Sequence, residues 1–521
     1  MSFHVLFLYT LSLSMNKPVK TILGSGNTSR GMVVDVECHL ANSLPNIVIV
    51  GFATKAVDEA KERIRGALAS SNIRLPKKRI TINLAPADVP KEGSSFDLAI
   101  ATSIMQAAKL VAGKTSDTIV IGELGLDGSI RSVRGLIGKI LSAKKLGFCD
   151  FIIPKDNLEQ ANLIPNIRLR PVADLSEVYD LLQKPEIDFI NSDNSQSTNK
   201  NIPAGNSVEI RFEDVTGQEQ AKRALIIAAS GHHNIFLNGP PGTGKSMLAK
   251  ALRSIMPPMS TDEMLEVTHL HSLANKDFDR IVRERPVRSP HHTSSQTSII
   301  GGGSSPKPGE ISLSHHGILF FDEFPEFGRS VVESLRQPLE DKKITVSRAK
   351  DSIDFPADFI LVATANPCPC GHYNTKQECT CAPNNIMRYQ KRISGPVFDR
   401  IDLYVDVDSV SHSQLLDNNA PVGKTSRSLQ ETVRKTREIQ YTRSGKLNSQ
   451  LSSTELKKQR RLSEDATNLF NQAAQQLNLS ARGYMRTLRV ANTIADLNGE
   501  DNIGINEISE ALQYRKKPIE L

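Results

Sequence analysis

The sequence predicts an α/β protein of more than one domain that ends in a helical segment, and three observations carry that reading. Strand-like apolar runs alternate with helical patterns along most of the chain. Three of them, NIFLNG (Asn234–Gly239), GILFFDE (Gly317–Glu323) and FILVATAN (Phe359–Asn366), lead into polar turns. That pattern suits central parallel strands with chemistry at their carboxyl ends. The remainder after about Ser428 has no strand pattern and reads as helices.

The elements follow in chain order. MSFHVLFLYTLSLS (residues 1–14) has the apolar core of a signal peptide but no basic lead and no small-residue cleavage pattern. It is expected to be a leader or a misassigned start, with Met15 opening MNKPVKTILG. Residues 15–190 form a first domain, with strands at Asn46–Phe52 and Arg79–Ala85 and a helix at Lys55–Ser71. The Asn- and Ser-rich stretch 191–207 reads as a linker. A second α/β domain spans 208–408, a polar break covers 409–428, and a helical domain runs over 429–521.

Composition limits the function. At 521 residues the chain exceeds one ordinary core, and 39% hydrophobic with 23% charged residues describes a globular protein. A net charge of +7 permits an anionic partner without requiring one. Trp is absent and aromatics are 5%, so stacking on single-stranded bases is not the main binding mode. No run of about 18 apolar residues occurs, so no membrane span is expected. Six cysteines, four of them between Cys368 and Cys381, point to a reducing, cytoplasmic setting rather than a disulfide framework.

The chemistry is concentrated in the second domain. GPPGTGKS (Gly239, Pro240, Pro241, Gly242, Thr243, Gly244, Lys245, Ser246) follows a strand and opens the helix MLAKALRSI. Such a loop turns backbone N–H groups onto phosphates, Lys245 reaches the β- and γ-phosphates, and the Ser246 hydroxyl holds Mg²⁺. ILFFDE ends in Asp322, placed to hold the metal's water shell, and Glu323, placed to activate the attacking water. ATANP supplies Asn366, a side-chain amide able to sense the γ-phosphate. Arg400 in SGPVFDRID and Arg482 in SARGYMRTLR are candidates for stabilising transferred phosphoryl charge. ATP and Mg²⁺ are the expected cofactors.

The segment Arg285–Phe327, RPVRSPHHTSSQTSIIGGGSSPKPGEISLSHHGILFFDEFPEF, with NPCPCG (Asn366–Gly371) and the Arg482 helix, resembles the signature of magnesium-chelatase-like AAA+ ATPases. From about Met15 to Leu521 the chain resembles the ComM/YifB family within them. That resemblance implies a Lon-protease-like (S5 domain 2-like) N-terminal domain, a P-loop AAA+ core and a helical C-terminal lid. It further implies that Gly239–Ser246 is the Walker A loop, Asp322–Glu323 the Walker B pair, Asn366 sensor 1, Arg400 a trans-acting arginine finger and Arg482 sensor 2. A trans-acting finger implies a ring homo-oligomer, with a hexamer expected. The implied function is DNA remodelling, namely branch migration or helicase action on single-stranded or branched DNA during natural transformation and recombination. A chelatase-like motor acting on a protein partner is the alternative.

APADVPKEGSSFDLAIA (Ala85–Ala101) resembles the Lon region that presents a catalytic serine, near Ser95. Alignment puts Ile137 where the activating lysine would stand, with Lys139 expected to point elsewhere, so a non-proteolytic domain is expected. Cys368, Cys370, Cys379 and Cys381 form two C-x-C pairs that could supply a tetrahedral Zn²⁺ site, with His372 as a substitute ligand. Four free thiols are the other reading. Lys307 in the loop Ser298–Glu310, with Arg283, Arg285 and Arg288, offers phosphate contacts to DNA. The pairs His291–His292 and His315–His316 are expected to pack and hydrogen-bond rather than to bind metal.

Overall fold

The computed structural model describes residues 18–23, 31–51, 55–89, 91, 93–113, 115–192, 210–275, 281–303, 306–347, 352–375, 377–392, 395–408, 425–459 and 462–515. The stretch 1–14, nearly all of 191–207, and 409–424 lie outside these residues. The described residues divide into two compact units, the first ending at residue 192 and the second beginning at residue 210.

The first unit is built on an eight-stranded mixed sheet. Its strands are β1 (Val19–Leu23), β2 (Met32–Ala41), β3 (Asn46–Val50), β4 (Arg79–Ala85), β5 (Thr118–Val120), β8 (Asp150–Pro154), β9 (Arg168–Val172) and β10 (Ile190–Asn191), and a two-strand hairpin adds β6 (Glu123–Leu124) and β7 (Ile130–Arg131). The spatial order is β10-β9-β8-β5-β1-β2-β4-β3. In β4, RITINLA buries Ile80, Ile82 and Leu84 while its alternate residues stay partly open, the period-two pattern of a half-buried strand. Helices Lys55–Ser70 and Asp97–Ala107 pack Ile64, Leu68, Leu98 and Ile104 into the same core.

The serine region departs from expectation. Ile137 is buried in the helix Leu136–Lys145, but Lys139 is buried too and its Nζ donates to Ser95 Oγ at 3.2 Å. Positions 137 and 139 lie about 200° apart on the helix, so the two side chains do diverge. The helix is enclosed on both of those faces, and it is Lys139 that faces the serine.

The second unit holds a five-stranded, all-parallel sheet. Its strands are β11 (Ile235–Asn238), β12 (Val287–Arg288), β15 (Ile318–Phe321), β18 (Ile360–Ala365) and β19 (Leu403–Asp406), in the order β12-β15-β18-β11-β19. Every residue of β15 and β18 is buried, as a parallel sheet covered on both faces requires. The order reverses beside β11, and such a switch point at the carboxyl ends of the strands is where ligands bind. Two hairpins, β13–β14 (Gly301–Gly302, Lys307–Pro308) and β16–β17 (Lys343–Ser347, Ser352–Pro356), stand apart from this sheet. The sequence reading had no strand at β16 or β17.

From Ser426 the described residues are helical, in segments Ser426–Ser444, Ser453–Gln459, Glu464–Gln476, Ala481–Asn498 and Ile505–Gln513. Their limits are written locally. Thr425, Ser463 and Ser480 accept the N–H of Ser428, Ala466 and Gly483 as N-caps, and Gly445 and Gly499 end their helices in the left-handed conformation. The expected fold class is therefore present: a mixed α/β unit, a P-loop parallel sheet and a helical C-terminus.

Candidate nucleotide site

Strand β11 delivers the loop Gly239–Ser246 and the helix Lys245–Ile255 that follows it. Gly242 and Gly244 have φ of +80° and +84°, a backbone region closed to most side chains, so the loop can curl around its own N–H groups. A Cβ at Gly239 would collide with the carbonyl of Val407. Lys245 Nζ donates to the carbonyls of Gly239 (2.6 Å) and Pro240 (2.7 Å) and to Asn366 Oδ1 (3.2 Å). Burial holds its pKa down while Asp322 and Glu323 hold it up. A phosphate would add negative charge and keep the ammonium protonated.

Asp322 and Glu323 leave the end of β15, the neighbour of β18 in the sheet. Asp322 Oδ2 accepts from Ser246 Oγ at 3.0 Å, and its Oδ1 accepts from Thr364 Oγ1 at 2.6 Å. The Thr364 hydroxyl in turn accepts the Glu323 N–H at 3.1 Å. Glu323 sits at φ +52°, a strained conformation for a non-glycine residue that costs roughly 1–3 kcal/mol. Ser246 and Asp322 thus converge where Mg²⁺ would accompany a nucleotide, and Glu323 leaves the strand at a sharp angle beside them. Sequence reasoning missed Thr364. Its signal was available: a lone hydroxyl in the apolar strand ILVATA, two residues before Asn366.

The two arginines do not join this cluster among the described contacts. Arg400 is 8% exposed; its Nη1 donates to the carbonyl of Pro396 at 2.6 Å and its Nη2 pairs with Glu340. The Arg482 side chain is two-thirds exposed and lies 3.9 Å from the same carboxylate. Glu340 therefore holds both, and a role for Arg400 at a neighbouring subunit requires that pair to open or to be shared. Arg486, which sequence reasoning passed over, makes a 2.7 Å ion pair with the buried Asp402.

The four cysteines of the loop after β18 meet. Their sulfurs lie within 4.8 Å of one another, with Cys368–Cys370 at 3.3 Å, Cys368–Cys379 at 3.7 Å and Cys370–Cys379 at 3.6 Å. Zinc–sulfur bonds of about 2.3 Å in a tetrahedron place sulfurs about 3.8 Å apart, so the donor set fits. His372 is not part of this cluster. The cluster is tied to the nucleotide loop, since a Cβ at Gly371 would strike Pro241.

The basic residues proposed for DNA are partly committed. Arg285 is buried, with its guanidinium on Glu263 and on the carbonyls of Pro257, Pro258 and His316. Arg288 makes a bidentate pair with Glu310 at 2.5 and 2.7 Å. Both arginines serve the fold, which corrects their assignment as phosphate contacts. Lys307 is exposed on β14. His291 bonds Thr293. His315 and His316 both meet Glu266, and the ligand atoms of these three residues lie within 4.8 Å of one another. His315 Nδ1 accepts the Asp358 N–H, so in the neutral ring Nε2 carries the proton toward Glu266 and has no lone pair for a metal.

A parallel five-stranded sheet with a P-loop at its switch point, an Asp-Glu pair on the next strand but one and a helical C-terminus define an AAA+ ATPase of the magnesium-chelatase type. Residues 211–415 match the family model for magnesium chelatase, subunit ChlI, residues 36–157 that for subunit ChlI of Mg-chelatase, and residues 423–515 that for the ChlI C-terminal region. The chain is 42% identical to the competence protein ComM of Haemophilus influenzae over 485 residues, 93% of this chain and 94% of that one. It is 38% identical to YifB of Escherichia coli over 490 residues, 92% and 94% of the two. The magnesium-chelatase 38 kDa subunit of Rhodobacter capsulatus is 26% identical over 174 residues, 30% of this chain and 50% of that one. The chain belongs to the ComM/YifB family of magnesium-chelatase-like AAA+ ATPases.

Proposed function

We propose that this protein is a cytoplasmic, ring-forming ATPase, a hexamer, that couples ATP hydrolysis to DNA branch migration or helicase action during natural transformation and recombination. The observation that carries the reading is the likeness to a competence protein along nearly the whole chain, first unit included. The 38 kDa chelatase subunit aligns with 30% of this chain at 26% identity, against 93% at 42% for the competence protein, and that contrast favours DNA over a chelatase-like partner.

In this reading the β- and γ-phosphates take over the acceptor positions now filled around Lys245 Nζ by Gly239, Pro240 and Asn366. Ser246 and Asp322 would hold Mg²⁺, which would supply positive charge beside the transferred phosphoryl group. Glu323 accepts a proton from the attacking water, and Asn366 orients that water or the γ-phosphate. Arg400 and Arg482 meet the phosphoryl charge, Arg400 from the neighbouring subunit. Lys307 on the β13–β14 hairpin presents an exposed cation to a nucleic-acid backbone. Cys368, Cys370, Cys379 and Cys381 hold a structural Zn²⁺ that fixes the loop beside Asn366; a closed four-thiolate site has no open position for catalysis.

The test is the ATPase rate alone and with single-stranded, duplex and branched DNA, with Glu323→Gln as the inactive control. Stimulation by branched or single-stranded DNA is expected. A rate indifferent to every DNA yet abolished by Glu323→Gln would shift the reading to a motor acting on a protein partner.

A further inference from the structure

The end of the P-loop helix remote from the nucleotide borders a cavity that the nucleotide site does not use. Its volume is about 630 Å³, and Arg211, Arg253, Arg283, Arg285 and Arg427 line it against two glutamates, Glu213 and Glu284. Four segments meet there: the lead-in to the turn Phe212–Asp214, the last turn of the helix Lys245–Ile255, the chain just before β12 and the first turn of the helix Ser426–Ser444. Arg253 stands eight residues beyond Lys245, about 12 Å along the helix axis, so cavity and P-loop lie at opposite ends of one rigid element.

Part of the charge is spent within the fold. Arg285 is buried on Glu263 and on the carbonyls of Pro257 and Pro258, and Arg253 pairs with Glu284. Glu213 accepts the Ser426 N–H at 2.8 Å as well as the Ser426 hydroxyl, and the Phe212 N–H donates to Ser426 Oγ at 2.9 Å. Those bonds bring the neighbouring residues Arg211 and Arg427 to the same cavity. Both are exposed, and neither makes an ion pair among the described residues.

What the lining lacks narrows the occupant. No aromatic side chain is present to stack on a base, so a free nucleotide has no seat for its ring. The carbonyls of Met256, Pro257 and Pro258 are already taken by Gln430 and Arg285, and the prolines have no N–H. An extended peptide therefore finds little backbone edge to pair with. What the cavity offers is guanidinium, whose planar fork matches phosphate oxygens. Reading phosphate and ignoring the base is the chemistry of sequence-independent nucleic-acid binding.

We propose that this cavity docks the sugar-phosphate backbone of DNA, with Arg211 and Arg427 as its principal contacts and Arg253 and Arg283 beside them. The site rests on the DNA reading and adds to it a contact on the body of the second unit, apart from Lys307 on its hairpin. A phosphate held jointly by Arg211 and Arg427 ties the lead-in of the core to the first C-terminal helix. It does so at the far end of the helix that begins at Lys245, which gives bound DNA a rigid route to the nucleotide site.

The experiment follows binding of the full-length protein to fluorescein-labelled duplex and branched DNA by anisotropy across a salt series, with Arg211→Gln/Arg427→Gln as the test variant. Both side chains are exposed, so the variant melts at the wild-type temperature. The expected result is affinity at least about tenfold weaker on every sequence, with the slope of log K against log salt on duplex shallower by about two. Arg211→Lys/Arg427→Lys, which keeps both cations, retains the wild-type slope. Wild-type protein that binds no DNA defeats the DNA reading and this site with it. Wild-type protein that binds DNA, with affinity and slope unchanged in the glutamine variant, overturns this site alone. So does binding of poly-glutamate that depends on the two arginines while DNA binding does not.

Discussion

Thr364→Val tests whether the buried hydroxyl between the two acidic residues sets the geometry of hydrolysis. Thr364 is fully buried, donates to Asp322 Oδ1 at 2.6 Å and accepts the Glu323 N–H at 3.1 Å. Valine preserves the shape and removes both bonds. The Asp322 bond is charge-assisted, about 1.5–3 kcal/mol, and the Glu323 amide is left without its acceptor at a cost of about 1–3 kcal/mol. Part of that strain is relieved by letting Glu323 relax from φ +52°, which moves the residue meant to activate water. A loss of about 1.4–2.7 kcal/mol in transition-state stabilisation is a fall of about 10–100-fold in kcat. Steady-state ATPase assays with Thr364→Ser as the rescuing control measure it, beside thermal melts. Thr364→Ser should recover most of the rate. A Thr364→Val enzyme with kcat within about twofold of wild type, however much its melting temperature drops, would refute the argument.

Glu323→Gln retains ATP binding and loses hydrolysis by at least about 100-fold, read by a nucleotide-binding assay beside the ATPase rate. Cys370→Ser removes one of four thiolates, so zinc measured by elemental analysis falls from one per chain toward zero, and ATP affinity weakens because Gly371 abuts Pro241. Arg482→Ala leaves the melting temperature unchanged because its side chain is two-thirds exposed, whereas Arg400→Ala lowers it by emptying a nearly closed site and removing the bonds to the Pro396 carbonyl and Glu340; calorimetry separates the two. His232 is buried beside Asp358 and Lys342, and desolvation lowers its pKa from 6.5 to about 4. The unfolded chain therefore binds the extra proton first, stability is full above pH 6.5 and falls between 6.5 and about 4, on the order of 3 kcal/mol in all. His232→Asn, which tolerates the φ of +60° there, flattens that part of the melting-temperature profile.

The nucleotide site was legible because its chemistry is local. Gly239–Ser246 dictates its own turn, and Asp322–Glu323 and Asn366 sit at the ends of strands that announce themselves by unbroken apolar runs. The helix limits at Thr425, Ser463, Ser480, Gly445 and Gly499 were equally open to reading. What escaped depends on pairings between distant segments. Lys139 meets Ser95 across 44 positions, and whether it faces inward depends on a helix covered on more than one side. The fates of Arg285 and Arg288 rest on Glu263 and Glu310, which charge counting along the chain does not link to them. The β16–β17 hairpin does alternate polar and apolar residues, but over only five positions in each strand, too short a run to stand out.

Sheet register explains why the nucleotide residues can act together. Phe321, just before Asp322, pairs with Ala363 of β18, and Ala365, just before Asn366, pairs with Asn238 of β11, just before the P-loop. Lys245 and Asn366 are thus carried by adjacent strands whose ends are level, while β15 ends two residues short of β18. Thr364 on the central strand therefore reaches the acidic pair, and Asn366 reaches Lys245. A one-residue slip would turn Thr364 to the other face and break both bonds to the acidic pair. The loop that begins at Asn366 also carries the four sulfurs and contacts Pro241, so a shift in the cysteine cluster would reach Lys245 by two routes: through Asn366 and through the P-loop itself.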